Sequence, residues 1–447
     1  PALIAVAITV TGESVWPGQL ISLACVALTG WLLFAALARR FGSRAGYVAL
    51  LAMLSTQGVV VAGTSIQPDP LALLGFTVGF LAFLAWLEAP SRGRLAAWVA
   101  ATTIAGLVKP TTLELGIAQG VLVLIAHRAA LRRPALWLGW GAVVAVVIGF
   151  LLYARGLYVE YGNTFGVLSG GDSKLPALSA IATPRPWIDL ARFFVIWGIG
   201  IPAVPAALYL VWRRALGPEE IALAAGALVL SVLALRYTSG PYGTHYHLPH
   251  VVLGAWLVAR AVAELTTAGR ASKPASRESR RGSGLRRGSG ARRPLSYRIR
   301  TELGRGIVGL GVIVCVLLYA RAVRHVRTLP PEPETAVGRM LAGVAAPGTL
   351  VVVRARAPRV DPQWLTTNNF EDPRVFYLSR TRGWVVANDE PGAAGVREAA
   401  ARGARFYAHV NQMAPDPELA TWLAAHADVV ATGDAGAVYR LRHSRTR

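Results

Sequence analysis

Asp69 stands between two prolines at the head of an apolar run, QPDPLALLGFTVGFLAFLAW (67–86), and is the only acidic residue in it. Asp followed by Pro is a favoured helix start, the carboxylate capping free amides and meeting the positive end of the helix dipole. Asn or Ser would cap as well without a charge beside an apolar segment, so a chemical role stands next to the capping one. Lys109, in TIAGLVKPTTLELG, ends another apolar stretch; it either snorkels to the membrane interface or offers a point charge to a phosphate. Arg236 ends a third, where a planar guanidinium suits a pair of phosphate oxygens. The run PYGTHYHLPH (241–250) places His245 and His247 two apart, with His250 three further on. That spacing can supply ligands for a divalent metal beside Asp69, and fits equally a polar turn at an interface. The loop 155–187 carries Tyr158, Tyr161, Asn163, Asp172 and Trp187, either a substrate-covering element or an interfacial aromatic belt.

These residues are positioned by membrane spans. Of the 447 residues 54% are hydrophobic and only 16% charged, and the mean hydropathy is +0.45. Runs of about 18 or more apolar residues mark bilayer crossings. Ten spans can be drawn, at roughly 18–38, 46–63, 70–88, 95–108, 111–127, 134–154, 188–212, 219–236, 248–265 and 304–321. The fourth and fifth are short and read alternatively as one broken hairpin around Lys109-Pro110. The net charge of +22 would elsewhere point to nucleic acid, but the basic residues lie between apolar spans, which excludes that partner. Cys25 and Cys315 both fall within apolar runs and imply no disulfide framework.

Orientation follows from the Lys and Arg content of alternate loops. One set holds Arg39, Arg40, Arg44, Arg92, Arg94, Arg128, Arg132, Arg133, Arg213 and Arg214, and ends in the Arg/Gly/Ser segment 270–300 with eleven basic residues against Glu278 alone. The other set holds Lys109, Arg155, Lys174, Arg185 and Arg236. The first set is therefore cytoplasmic, and Glu13, Asp69, Lys109, Glu114, Arg236 and the histidine run gather at the outer interface. Ionisable groups at membrane depth are costly and so are functional candidates. The basic segment cannot bury a core and reads as a disordered cytoplasmic loop, or as one drawn to anionic headgroups.

After residue 322 the pattern changes to short strands (348–355, 383–387, 404–410, 428–432) alternating with amphipathic helices at 334–345, 395–404 and 417–427. The expected division is a transmembrane domain over 1–265, a basic disordered loop over 266–303, a last span over 304–321 and an extracytoplasmic α/β domain over 322–447. An even number of spans also starts the chain outside, so a preceding hydrophobic segment upstream of Pro1 is expected.

Taken together, the residues resemble a family. TVTGESVWPGQLISLACVALTGWLLFAALARRFG (9–42) is similar to the segment after the first outer loop of the GT-C glycosyltransferases, in the branch of protein O-mannosyltransferases and lipid A aminoarabinose transferases. QPDPLALLGFTVGFLAFLAW resembles their aspartate-led span, AGLVKPTTLELG (105–116) their "LTKGP" stretch and HYHLPHVVLGAW (245–256) their "RY-LP-P" span. NNFEDPRVFYLSRTRGWVV (368–386) resembles their outer domain. The resemblance implies a polytopic helical fold with a small outer α/β domain. It also implies inverting transfer of a hexose or mannose-like sugar from a polyprenyl-phosphate donor to a glycan, lipid or protein acceptor on the outer face of the cell membrane.

Carried over by position, Asp69 matches the acidic residue that organises donor phosphate or acceptor, and Lys109 the lysine near the donor phosphate. His245 and Tyr246 fall where the family has Arg-Tyr, leaving phosphate contact to Lys109 or Arg236. The family's catalytic carboxylate, an Asp-Glu pair in the first outer loop, would lie upstream of Pro1, and Glu13 does not take its place. No metal site is assigned. The competing readings are a transporter or lipid flippase, which would need charges deep in spans (only Asp189 and Arg192, near one span end, offer this) and internal repeats, and an inactive membrane scaffold.

Overall fold

Asp69 opens, and Glu88 closes, the helix around which the membrane part of the chain is arranged. The computed structural model describes residues 16–161, 182–233, 235, 241–267, 295–328, 332–355, 360–361, 366–367, 374–388, 392–410 and 417–442. The chain divides into two compact units, Pro1–Gly156 with Lys174–Arg327 and Leu157–Ser173 with Thr328–Arg447.

The first unit is helical. In chain order its helices are α1 (Trp16–Phe41), α2 (Ser43–Leu54), α3 (Gln57–Thr64), α4 (Asp69–Glu88), α5 (Arg92–Val108), α6 (Glu114–Ala126), α7 (Pro134–Tyr161), α8 (Pro184–Phe193), α9 (Ala203–Trp212), α10 (Pro218–Leu233), α11 (Val251–Thr267) and α12 (Leu295–Thr328). Five helices among the described residues are long and apolar enough to cross a membrane, or seven if each of two bent pairs counts as a span. Two segments drawn as straight spans are these bent pairs. The α2–α3 pair turns by 67° at Ser55 and Thr56, whose hydroxyls both bond back to the Ala52 carbonyl. The α8–α9 pair turns by 100° at Gly200-Ile201-Pro202, where Gly200 has φ +82° and Pro202 has no amide to continue the helix. The spans drawn at 95–108 and 111–127 are the shorter helices α5 and α6.

The hairpin of α4 and α5 sets up the site. Ser91 accepts from the Arg94 amide at 3.3 Å and starts α5, while Arg94 bonds the Ala85 and Ala89 carbonyls at the end of α4. Gly75 and Gly79 let the helices close: a Cβ on Gly75 would lie 3.0 Å from the Ala105 Cβ. At 1.5 Å per residue, α4 rises about 28 Å and α5 returns about 24 Å. The end of α5 therefore comes back level with the start of α4. Lys109 is extended (φ −153°, ψ 112°), as a residue before proline must be, and a 3₁₀ turn, Pro110–Leu113, leads into α6. Buried Phe80, Phe83, Trp86, Trp98 and Trp256 fill the core behind this hairpin.

The opposite end of α4 carries a cluster of buried charges. Glu219 and Glu220, at the head of α10, are 2% and 1% exposed. Arg260 of α11 reaches Glu220 at 2.5 Å and Glu219 at 3.2 Å. Arg40 of α1 pairs with Glu219 and, at 3.5 Å, with Glu88. The Gly217 amide donates to Glu220 at 2.8 Å. Four helices are thus tied at their ends by three carboxylates and two guanidiniums, a charge group that the sequence reading did not find.

The second unit contains α13 (Pro333–Ala342), β1 (Leu350–Arg354), β2 (Val360–Asp361), β3 (Thr366–Thr367), α14 (Arg374–Ser379), β4 (Arg382–Val386), α15 (Gly392–Ala401), β5 (Phe406–Val410), α16 (Pro417–His426), β6 (Ala427–Gly433) and β7 (Gly436–Leu441). The main sheet runs β4-β1-β5-β7-β6. The strands β4, β1 and β5 are parallel, and β7 is antiparallel to both its neighbours. Val351 and Val353 pack with Val337, Leu341 and Val375 on one face. Val352 and Tyr407 pack with Val396, Leu419 and Leu423 on the other. The four strands expected from sequence are present; β7, with its Arg and Tyr interrupting the apolar pattern, was not anticipated.

Candidate phosphate-binding site

The Lys109 ammonium donates to Asp69 Oδ1 and lies 4.3 Å from the centroid of the Tyr246 ring. The structure therefore joins three of the residues selected from sequence, supplied by the end of α5, the start of α4 and a 3₁₀ helix, Pro241–His250, that precedes α11. Asp69 is the first helical residue of α4 and 5% exposed. Among the described residues its carboxylate caps nothing and takes only the Lys109 ammonium, so the capping role gives way to an ion pair. The Lys109 side chain is 14% exposed. An ammonium has three donors; one goes to Asp69, and the aromatic face adds cation–π attraction without using a second. Lys109 can so meet an incoming anionic oxygen while held in place.

The same 3₁₀ helix builds a second layer. Residues three apart eclipse in such a helix, which brings the rings of His247 and His250 together edge to face, with centroids 5.5 Å apart. His250 Nε2 lies 3.1 Å from Glu114 Oε2, the first residue of α6, with both side chains 1% exposed. Glu114 Oε1 and His250 Nδ1 have no hydrogen-bond partner among the described residues. Phe194 packs against both histidines, 6.1 and 5.0 Å away. It opens a π-helical stretch, Phe194–Ile199, that is gripped by close glycine contacts: a Cβ on Gly58 would fall 2.2 Å from the Trp197 carbonyl oxygen and one on Gly254 1.9 Å from that of Ile199. Insertions of this kind recur at functional sites.

His245 stays beside Tyr246, ring centroids 4.5 Å apart. The histidines do not converge on Asp69 as metal ligands, since His250 turns to Glu114. Among the described residues no group of three or more His, Cys, Asp or Glu is arranged to hold a metal ion. Arg236, Glu13 and residues 162–181 of the loop 155–187 lie outside the described residues. Glu114 was seen only as an interfacial charge; its pairing with a residue 136 positions away has no local signature, though the three-residue spacing of His247 and His250 was visible.

The family model of dolichyl-phosphate-mannose-protein mannosyltransferase matches residues 1–153, a segment that includes Asp69, Lys109 and Glu114. The crystal structure of ArnT from Cupriavidus metallidurans in the apo state superposes with a TM-score of 0.62 at 15% identity, covering 98% of this chain and 86% of that one. The structure of the same protein bound to undecaprenyl phosphate gives a TM-score of 0.56 at 15% identity and the same coverage. No curated protein matches the sequence significantly. Along nearly its whole length the chain has the fold of ArnT, and residues 1–153 match the sequence model of the dolichyl-phosphate-mannose-protein mannosyltransferases.

Proposed function

We propose that this protein is a membrane glycosyltransferase that takes a sugar from a polyprenyl-phosphate donor and passes it, with inversion, to an acceptor on the face of the cell membrane opposite the Arg-rich loops. The observation that carries the reading is the Lys109–Asp69–Tyr246 group at the end of a membrane hairpin. The match of residues 1–153 to a lipid-phosphate-sugar family and the likeness to a fold crystallised with undecaprenyl phosphate support it.

The chemistry follows from the leaving group. A lipid phosphate departs readily at neutral pH and needs no general acid; it needs its growing charge stabilised in a partly dry cleft. Lys109 supplies that charge, and Asp69 and the Tyr246 ring fix where it points. The attacking hydroxyl must give its proton to a carboxylate. Asp69, whose carboxylate already takes the Lys109 ammonium, serves to position the cation. We read the donor as a hexose or mannose-like sugar, and the Arg-rich segment 270–300 ahead of the last span supports an extracytoplasmic C-terminal α/β unit.

The test is transfer. Membranes containing the full protein are supplied with labelled polyprenyl-phosphate sugars, and label is followed into glycan, lipid and protein. Transfer by the wild type, lost in Lys109→Ala and in Asp69→Ala, supports the proposal. Absence of transfer to every acceptor, or wild-type rates in Asp69→Ala, rejects it.

A further inference from the structure

At the end of the helical unit opposite Asp69, an open cavity of about 180 Å³ lies between the last turn of α4 and the segment joining α6 to α7. Its walls include Leu87, His127, Arg128, Ala129 and Arg133, and no acidic residue. We propose that this cavity binds the phosphodiester headgroup of an anionic membrane lipid.

The argument is one of uncompensated charge. Elsewhere at this end, Arg40 and Arg260 are already neutralised by Glu88, Glu219 and Glu220. Arg128 and Arg133 have no carboxylate partner among the described residues; Arg128 bonds only the Leu124 carbonyl, at 2.7 Å. That bond directs Arg128 from its own helix end, and Arg133 is oriented by the Trp86 ring, 5.9 Å from its guanidinium carbon. Two preoriented guanidiniums beside a small cavity match the oxygens of a phosphodiester, which accept paired N–H donors.

The depth is right for a headgroup. Trp137, half-exposed, donates its indole N–H to the Leu131 carbonyl at 2.9 Å, as interfacial tryptophans do. Exposed Leu124 and Leu138 flank the segment on the apolar side, where acyl chains would run. The cavity volume admits a phosphate with its nearest glycerol carbons and excludes a whole lipid, so the chains stay in the bilayer. Basic pockets between membrane helices are a recurring form of headgroup recognition.

The experiment is native mass spectrometry of the full chain, purified with equal amounts of phosphatidylglycerol and phosphatidylcholine. The wild type should retain phosphatidylglycerol about tenfold over phosphatidylcholine. The variant Arg128→Ala/Arg133→Ala should lose that preference, and Arg39→Ala/Arg44→Ala, which removes two exposed basic residues at the same end, should keep it. Ala129→Trp fills the cavity without touching a charge and should also lose the preference; it carries the test if the double arginine variant does not fold. Retention in Ala129→Trp, or equal loss in the Arg39/Arg44 variant, would reduce the effect to general surface charge and overturn the proposal. Displacement of the lipid by millimolar inorganic phosphate would overturn it too, by showing that the site takes free phosphate.

Discussion

Lys109 and Asp69, forty residues apart, form an ion pair where α5 ends and α4 begins. The hairpin brings them together because its two arms are nearly equal in length, and the proline after each residue keeps helix from running through the junction. The pair is buried enough that neither charge is well served by water alone. Removing one member of a buried pair leaves an uncompensated charge at a cost of about 3–5 kcal/mol.

The two members differ in escape. Asp69 is short and 5% exposed, whereas Lys109 has a flexible stem and a 14% exposed side chain. Lys109→Ala should therefore destabilise by about 3 kcal/mol, and Asp69→Ala by less, because the freed ammonium can swing outward to water. The double variant should recover part of the loss. Thermal unfolding of the three proteins in detergent reads the order directly.

The π-helical stretch over His247 and His250 depends on glycines from two other helices. Gly254→Ala and Gly58→Ala each force a methyl against a backbone oxygen and should cost more than about 2 kcal/mol. They should also weaken donor binding, because Phe194 is displaced from the histidine turn. Gly116→Ala, in α6 with open space around it, should instead stabilise by about 0.5–1 kcal/mol. Melting temperatures and donor affinity of the three variants check this contrast.

Arg260 is the shared partner of Glu219 and Glu220. Arg260→Ala leaves buried carboxylates short of a cation and should cost about 3–5 kcal/mol. Arg260→Lys should rescue only in part, since an ammonium cannot reproduce the fork that spans both carboxylates. Arg40→Ala should cost less, its side chain being 37% exposed. In the folded fraction of each variant the donor KM should be unchanged, because the cluster lies at the far end of α4.

In the α/β unit, hydrogen bonds from Arg442 hold the Asp428 carboxyl below its usual range; Arg442 Nε sits 3.1 Å from both oxygens. A carboxyl depressed in the folded state contributes stability above its unfolded pKa, about 3.9, and loses it as pH falls through the lower folded value. Asp428→Asn should melt slightly below wild type at pH 7 and together with it at about pH 2. The pair is exposed, so the difference should be small and should shrink in high salt. Melting curves across pH and ionic strength test the sign.

Much of this was legible in the chain. Periodicity and length gave the apolar helices, and the strand pattern gave β1, β4, β5 and β6. The sequence places Asp69, Lys109 and the histidine run at one set of helix ends, and there Lys109 meets Asp69 and Tyr246. What the sequence could not give were pairings set by packing. Asp69 looked like a cap because Asp-Pro is a local signal, whereas its true partner is chosen by the glycine-lined approach of α5. The Glu114–His250 contact and the Glu219–Glu220–Arg260 cluster join distant segments with no periodic trace. The bends at Ser55–Thr56 and Gly200–Pro202 interrupt apolar runs whose hydropathy alone reads as continuous.

Binding of undecaprenyl phosphate to the purified full chain tests the central claim most directly. Lys109→Ala should weaken it by roughly 30-fold or more, the worth of a desolvated charge-assisted contact, while Arg39→Ala should leave it unchanged. Equal affinity of the wild type and Lys109→Ala, with both proteins folded, would contradict the account.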